Sequence, residues 1–153
     1  DMDVQHVLLI QDDGALARPC DIMKEYGNDY DYIGAPWTGS EHQMKQFYDL
    51  SPDAQSRTGG NGGFSLRKVD TMMDACKRGR RLRTQDVIGI PEDVFFSKLV
   101  PSNRLPTTQV ANTFSSEFGL NITPPSHGFH KIWAYHPEER VDRYFAECRQ
   151  MSG

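Results

Sequence analysis

Two adjacent carboxylates, Asp12 and Asp13, close a run of branched aliphatic residues and are followed by Gly14. Carboxylate oxygens are the ligands that hard divalent cations such as Mn²⁺ or Mg²⁺ prefer, and those cations often complete their shells with substrate phosphates. Asp-Asp-Gly is equally good turn chemistry. Further along, Ser126-His127-Gly128-Phe129-His130-Lys131 sets two imidazoles beside an ammonium group. Either His127 or His130 can ligate a metal, and Lys131 suits a phosphate, the pairing that a diphosphate leaving group calls for. A plain loop carries the same residues, and zinc bound by both histidines and a distant cysteine is a lesser alternative. Glu92 and Asp93 follow Pro91. They offer a general base for an attacking hydroxyl, or else acids that complement the first turn of a helix.

Gly59-Gly60-Asn61-Gly62-Gly63 lets backbone approach a ligand closely and reach positive φ at no steric cost, as would any flexible turn. It is neither a P-loop, since no Lys-Ser/Thr pair follows, nor a dinucleotide fingerprint. Trp37 and Trp133 have flat faces that can stack on a sugar ring or fill a core.

These groups need elements to hold them. Val4 to Ile10 reads as a buried strand that delivers the acidic pair to its C-terminal end. A short helix is expected from about Pro19 to Tyr26, then a brief extended segment at Asp31 to Gly34. A long polar surface loop follows from Thr38 to Thr58. An amphipathic helix from Lys68 to Lys77 has Val69, Met72, Met73 and Cys76 on one face. Pro91 opens another helix. Thr107 to Asn112 and Pro137 to Gln150 are further helices, and Phe114 to Trp133 reads as short strands and loops. Alternating strands and helices indicate an α/β domain.

A chain of 153 residues, 37% hydrophobic and 10% aromatic, suits one domain spanning 1–153. Its net charge of −4 and scattered basic residues argue against nucleic-acid binding. The one basic cluster, Lys77, Arg78, Arg80, Arg81 and Arg83, reads as a solvated helix end in preference to a phosphate site. The sequence has neither a membrane-spanning run nor a signal-like segment, so the cytoplasm is the default expectation. Cys20, Cys76 and Cys148 are too few and too far apart for a disulfide scaffold or a zinc knuckle, and read as buried free thiols.

Taken in order, several blocks resemble a domain family grouped with the glycosyltransferases. They are Leu8-Leu9-Ile10-Gln11-Asp12-Asp13, Tyr30-Asp31-Tyr32-Ile33-Gly34-Ala35-Pro36-Trp37, Gly60-Asn61-Gly62-Gly63-Phe64-Ser65-Leu66-Arg67, Pro91-Glu92-Asp93-Val94-Phe95-Phe96, Phe114-Ser115-Ser116-Glu117 and His127-Gly128-Phe129-His130-Lys131-Ile132-Trp133. The glycine-rich block, with the later Glu-Asp, is the most specific.

The resemblance implies a GT-A-like, Rossmann-related mixed sheet flanked by helices. It also implies metal-dependent transfer of a sugar from a nucleotide-diphosphate donor to a glycan or other hydroxyl acceptor. Where the family usually reads Gln-Thr-Asp, Asp13 matches its aspartate and Asp12 stands at the threonine, so Asp13 is the first metal candidate. By analogy with other GT-A enzymes, Asp93 is the first choice for base and Glu92 the second. Gly60, Asn61, Gly62, Gly63, Trp37 and Trp133 fall to substrate, Lys131 to diphosphate, and His130 or His127 to the metal. A GT-A domain normally carries a βαβ nucleotide-binding half before its acidic motif, whereas ten residues precede Gln11 here. The expectation is therefore an N-terminally incomplete portion, or else a nucleoside pocket that lies elsewhere, and independent catalysis by these residues is not implied. A metal-dependent phosphoester hydrolase and a noncatalytic carbohydrate-binding module are the rival readings, and no oligomeric state is implied.

Overall fold

The computed structural model describes residues 3–37, 57, 59–81 and 89–151. Nearly all of the polar loop expected at 38–58, and Arg83, lie outside the described residues.

Two three-stranded sheets are formed among the described residues. The first has strand order β1-β4-β3, from β1 (His6–Ile10), β3 (Tyr32–Ala35) and β4 (Asn61–Lys68), with both pairs antiparallel. The second has order β2-β6-β5, from β2 (Gly14–Leu16), β5 (Ser115–Ser116) and β6 (Gly128–His130); β2 pairs antiparallel and β5 parallel to β6. The helices are α1 (Val69–Gly79), α2 (Glu92–Leu99), α3 (Thr108–Phe114) and α4 (Glu138–Met151). The architecture is a mixed α/β one.

The buried strand is not the one expected. β1 lies at an edge, with Val7, Leu8 and Ile10 exposed at 45%, 37% and 46%. The middle place belongs to β4, where Gly62 to Arg67 are all buried. The glycines of Asn61-Gly62-Gly63, expected in a turn, are part of this strand. They belong there because neighbouring groups leave no room for side chains: a Cβ on Gly63 would stand 2.2 Å from the His130 ring.

Alternation along β4 builds the core on both faces. Phe64 and Leu66 join Ile33, Tyr26 and Phe114 in one cluster. Arg67 turns the other way, its guanidinium 4.9 Å from the ring centre of Tyr32 and 5.6 Å from that of Phe96. On that side Tyr32 packs with Val100 and Leu105. A third cluster joins the second sheet to α4 through Phe129, Ile132, Val141, Tyr144 and Cys148.

Helix α1 forms where the spacing predicts, but its buried face differs. Ala75 and Gly79, four apart, are buried, while Met73 is 53% exposed and Cys76 is exposed. The reason is the crossing of α2: a Cβ on Gly79 would lie 2.4 Å from Phe95, so the small residues must face that helix. Pro91 takes the N-cap position of α2, with Glu92 and Asp93 in its first turn. Thr107 caps α3, its side chain accepting from the Val110 N–H. The helix expected near Pro19 to Tyr26 is a wide π-type turn at Met23–Gly27.

Candidate active site

The turn after β1 is closed by the Gly14 N–H donating to the Gln11 carbonyl at 3.0 Å, and it presents Asp13. β6 ends at His130, which is in register with Gly14. The Lys131 N–H donates to the Asp13 carbonyl at 2.8 Å, so backbone bonds tie the acid to the imidazole. The side chains meet: His130 Nε2 lies 2.8 Å from Asp13 Oδ1, and Lys131 Nζ lies 3.8 Å from Asp13 Oδ2. Asp13 Oδ1 has no aligned hydrogen-bond donor despite that short contact. Lys131 sits in the left-handed region at φ 52°, a sparsely populated conformation for a residue with a side chain.

On its far side, His130 Nδ1 is 3.0 Å from Glu117 Oε1. Glu117 is 2% exposed, and its second oxygen has no hydrogen-bond partner. Burial pushes the Glu117 carboxyl above the usual carboxylate range, against the pull of His130. The bond from Glu117 in turn holds His130 above the ordinary histidine value, with Asp13 adding to it. A carboxylate on the outer nitrogen of an imidazole is the arrangement that orients a metal-ligating histidine. The sequence assigns Glu117 no role beyond its place in the Phe114–Glu117 block. An isolated glutamate thirteen residues before a histidine carries no local signal.

Two successive glycines connect this corner to the second acidic pair. A Cβ on Gly63 would strike the His130 ring, and one on Gly62 would lie 2.5 Å from Glu92 Oε1 and 3.5 Å from Asp93 Cβ. The two carboxylates of the pair then diverge. Glu92 makes a two-pronged ion pair with Arg67, at 2.7 and 2.9 Å, and is thereby committed. Asp93 accepts from the Val94 N–H at 2.8 Å. Burial, with the negative charge of Glu92, raises its pKa despite that bond and one from the Gly62 N–H. Asp93 is close enough to Glu117 for its charge to raise that carboxyl as well.

The remaining candidates fall into different places. Asp12 is exposed beside Asp13. His127 does not join Asp13; its Nε2 lies 2.9 Å from Glu25 Oε2 and 3.1 Å from an Arg18 nitrogen. Gly60 has φ +78°, and its carbonyl accepts from the Tyr32 hydroxyl at 2.8 Å, so it serves the fold. Asn61 accepts from the Gly63 N–H at 2.7 Å, which stiffens the glycine pair. Trp37 is 4% exposed and packs with Val94, Ile90 and Phe118, so its faces belong to the core and are closed to a sugar. Trp133, 53% exposed, stands edge-on to Phe129 and keeps a face free to solvent.

A mixed α/β domain whose two sheets bring an acid, a histidine and a lysine to one corner, with a half-buried acid near them, is the class of protein these observations define. Residues 2–130 match the family described as protein of unknown function (DUF5672), and the chain belongs to that family. No curated protein and no solved structure matches it.

Proposed function

We propose that this domain is a GT-A-like glycosyltransferase, moving a sugar from a nucleotide-diphosphate donor to a hydroxyl acceptor with Mn²⁺ or Mg²⁺. The observation that carries the reading is the convergence of Asp13, His130 and Lys131. One carboxylate and one imidazole, with a carboxylate oxygen lacking an aligned donor, fit a divalent cation that keeps positions for phosphate oxygens. Asp13 and His130 would hold it, with the exposed Asp12 beside them and Glu117 orienting the imidazole. The cation, when bound, neutralises charge on the leaving diphosphate.

The chain's own groups supply the rest. Lys131, whose side chain is 47% exposed, offers a second positive charge to the diphosphate. Asp93 takes the acceptor's proton as the acceptor oxygen bonds the anomeric carbon and the bond from that carbon to the phosphate oxygen breaks. Its raised pKa brings it closer to the working pH that general-base catalysis favours. Trp133 offers an aromatic face for a sugar ring.

The test is nucleotide release and product mass with a panel of sugar nucleotides, with Mn²⁺ or with chelator. The native full-length chain and its Asp13→Asn variant are compared. Metal-dependent release coupled to a sugar-sized mass gain on the acceptor, lost in the variant, is the expected result. Release without transfer would make the protein a phosphoester hydrolase. Glycan binding indifferent to metal and nucleotide would make it a binding module.

A further inference from the structure

A second group of ligating side chains lies at the opposite end of the β2–β6 ladder from Asp13 and His130. Cys20 follows β2, Glu25 sits on the π-type turn, and His127 immediately precedes β6. One ligand atom from each lies within 4.8 Å of the other two. The backbone fixes their relation: the N–H groups of Ala17 and Arg18 both donate to the His127 carbonyl, at 2.7 and 3.2 Å, and the His127 N–H donates to Thr113 at 3.0 Å. The ring of Tyr26 packs edge-on against the imidazole at 5.7 Å. Local π-type widening of a helix is frequent at functional sites, and here it carries Glu25.

The imidazole of His127 is held in a contradictory environment. Its Nε2 faces the Glu25 carboxylate at 2.9 Å and the Arg18 guanidinium at 3.1 Å. A carboxylate offers lone pairs and a guanidinium offers hydrogens, so one ring nitrogen cannot satisfy both. A proton on Nε2 serves Glu25 and opposes Arg18; a lone pair does the reverse. The other nitrogen, Nδ1, is buried with no hydrogen-bond partner, so nothing there selects a tautomer. The side chain is only 5% exposed, which makes that conflict costly in a protein interior.

We propose that Cys20, Glu25 and His127 form a zinc site, distinct from the Asp13–His130 corner. Thiolate, imidazole and carboxylate are the three ligand types zinc takes, and sulfur selects zinc over Mn²⁺ or Mg²⁺. Tetrahedral zinc sets its ligands about 3.4–3.8 Å apart, so rotation of these side chains opens the 2.9 Å His127–Glu25 contact and brings the group, already within 4.8 Å, to that spacing. Thiolate and carboxylate together cancel the charge of the ion, and Arg18 therefore meets a neutral site. Its Nε keeps the bond to the Pro125 carbonyl at 2.9 Å while its outer nitrogen gives up Nε2. The fourth position is left to water. Bound there, zinc staples the exit of β2 to the entry of β6, the two strands whose other ends carry Asp13 and His130.

The test titrates the purified protein with Co²⁺, which reports thiolate ligation by a charge-transfer band, and then displaces it with zinc. The wild-type protein and Asp13→Asn should both show the band, saturating at one equivalent and abolished by zinc. Cys20→Ser should lose the band. Glu25→Gln, at a side chain 43% exposed and so harmless to the fold, should weaken zinc by at least the roughly 10–100-fold that loss of a mere supporting partner costs. Absence of the band in the wild type, its survival in Cys20→Ser, or an unchanged zinc affinity in Glu25→Gln would each overturn the proposal.

Discussion

Replacing Gly63 with alanine tests whether the glycine pair exists to let His130 close on Asp13. The added Cβ would stand 2.2–2.4 Å from three atoms of the imidazole. Ordinary carbon contacts lie at about 3.5–4.0 Å, so ring or strand must move by about 1 Å. The ring cannot swing away freely, since Asp13 and Glu117 hold it from both sides. Overpacking of this kind costs about 1–3 kcal/mol, offset by about 0.5–1 kcal/mol because alanine loses less chain entropy than glycine. The expected net loss is about 1–2 kcal/mol, read by urea denaturation. A 1 Å misplacement of a ligand or catalytic group costs on the order of 100-fold in rate, and metal affinity should fall with it. The control is the double-mutant cycle with His130→Ala. With the ring gone, Gly63→Ala should be neutral or stabilising, giving a coupling of about 1–3 kcal/mol. Full stability and undiminished metal affinity in Gly63→Ala alone would refute the packing argument.

Asp93→Asn should raise the melting temperature at neutral pH while abolishing turnover. The folded-state pKa of Asp93 is raised, so its favourable contribution is complete below the unfolded value of 3.8 and is lost as pH rises through the folded value. The gain in the variant should therefore vanish toward pH 3; a variant no more stable than wild type at pH 7 would contradict the assigned cause. Arg67→Met, which strands Glu92 and removes the donors to Gly62 and Ser65, should cost about 2–4 kcal/mol by chemical denaturation. Glu92→Gln, which leaves the Arg67 guanidinium, 10% exposed, without its counter-charge, should cost about 1–3 kcal/mol and leave metal affinity unchanged. Asp31→Asn should make stability less sensitive to acid. Burial opposes the charge of Asp31, but Arg104 and Thr71 outweigh it and hold the pKa down, so the wild type loses this stabilisation as pH falls from 3.8 through the lower folded value. Parallel acid-unfolding curves for the two proteins would count against it.

The helices were legible because their signals are local. The spacing of Val69, Met72 and Cys76 predicts α1, and Pro91 with two acids predicts the start of α2. What the spacing does not tell is which side of α1 meets a neighbour, because Ala75 and Gly79 are recruited by the size of Phe95. The strands were harder. The apolar run at Val4 to Ile10 reads as a buried strand, yet its place at an edge depends on what it pairs with. The run of glycines at the start of β4 hides a strand behind turn composition, and only the His130 ring across the sheet explains them. Membrane crossing is likewise a local property: no helix among the described residues is long and apolar enough for it.

For the site, the residue types pointed to the corner without resolving it. Asp13, His130 and Lys131 are brought together by the β2–β6 register, and that register separates His127 from them. Analogy prefers Asp93 to Glu92, and what separates the two carboxylates in the structure is Arg67, twenty-five residues before Glu92 and bound to it. Glu117 enters the sequence only within the Phe114–Glu117 block, and His127 only beside an unspecified distant cysteine; their partnerships with His130, and with Cys20 and Glu25, are not legible because the partners are distant in sequence.

On the proposed function, Asp13 and His130 together hold a divalent cation for a diphosphate. Mn²⁺ titration followed by electron paramagnetic resonance, with and without a nucleoside diphosphate, tests it on the wild type, Asp13→Asn and His130→Gln. One bound equivalent in the wild type, tightened by the diphosphate and lost in both variants, is the predicted result. Equal Mn²⁺ binding in all three proteins, or binding indifferent to the diphosphate, would contradict it.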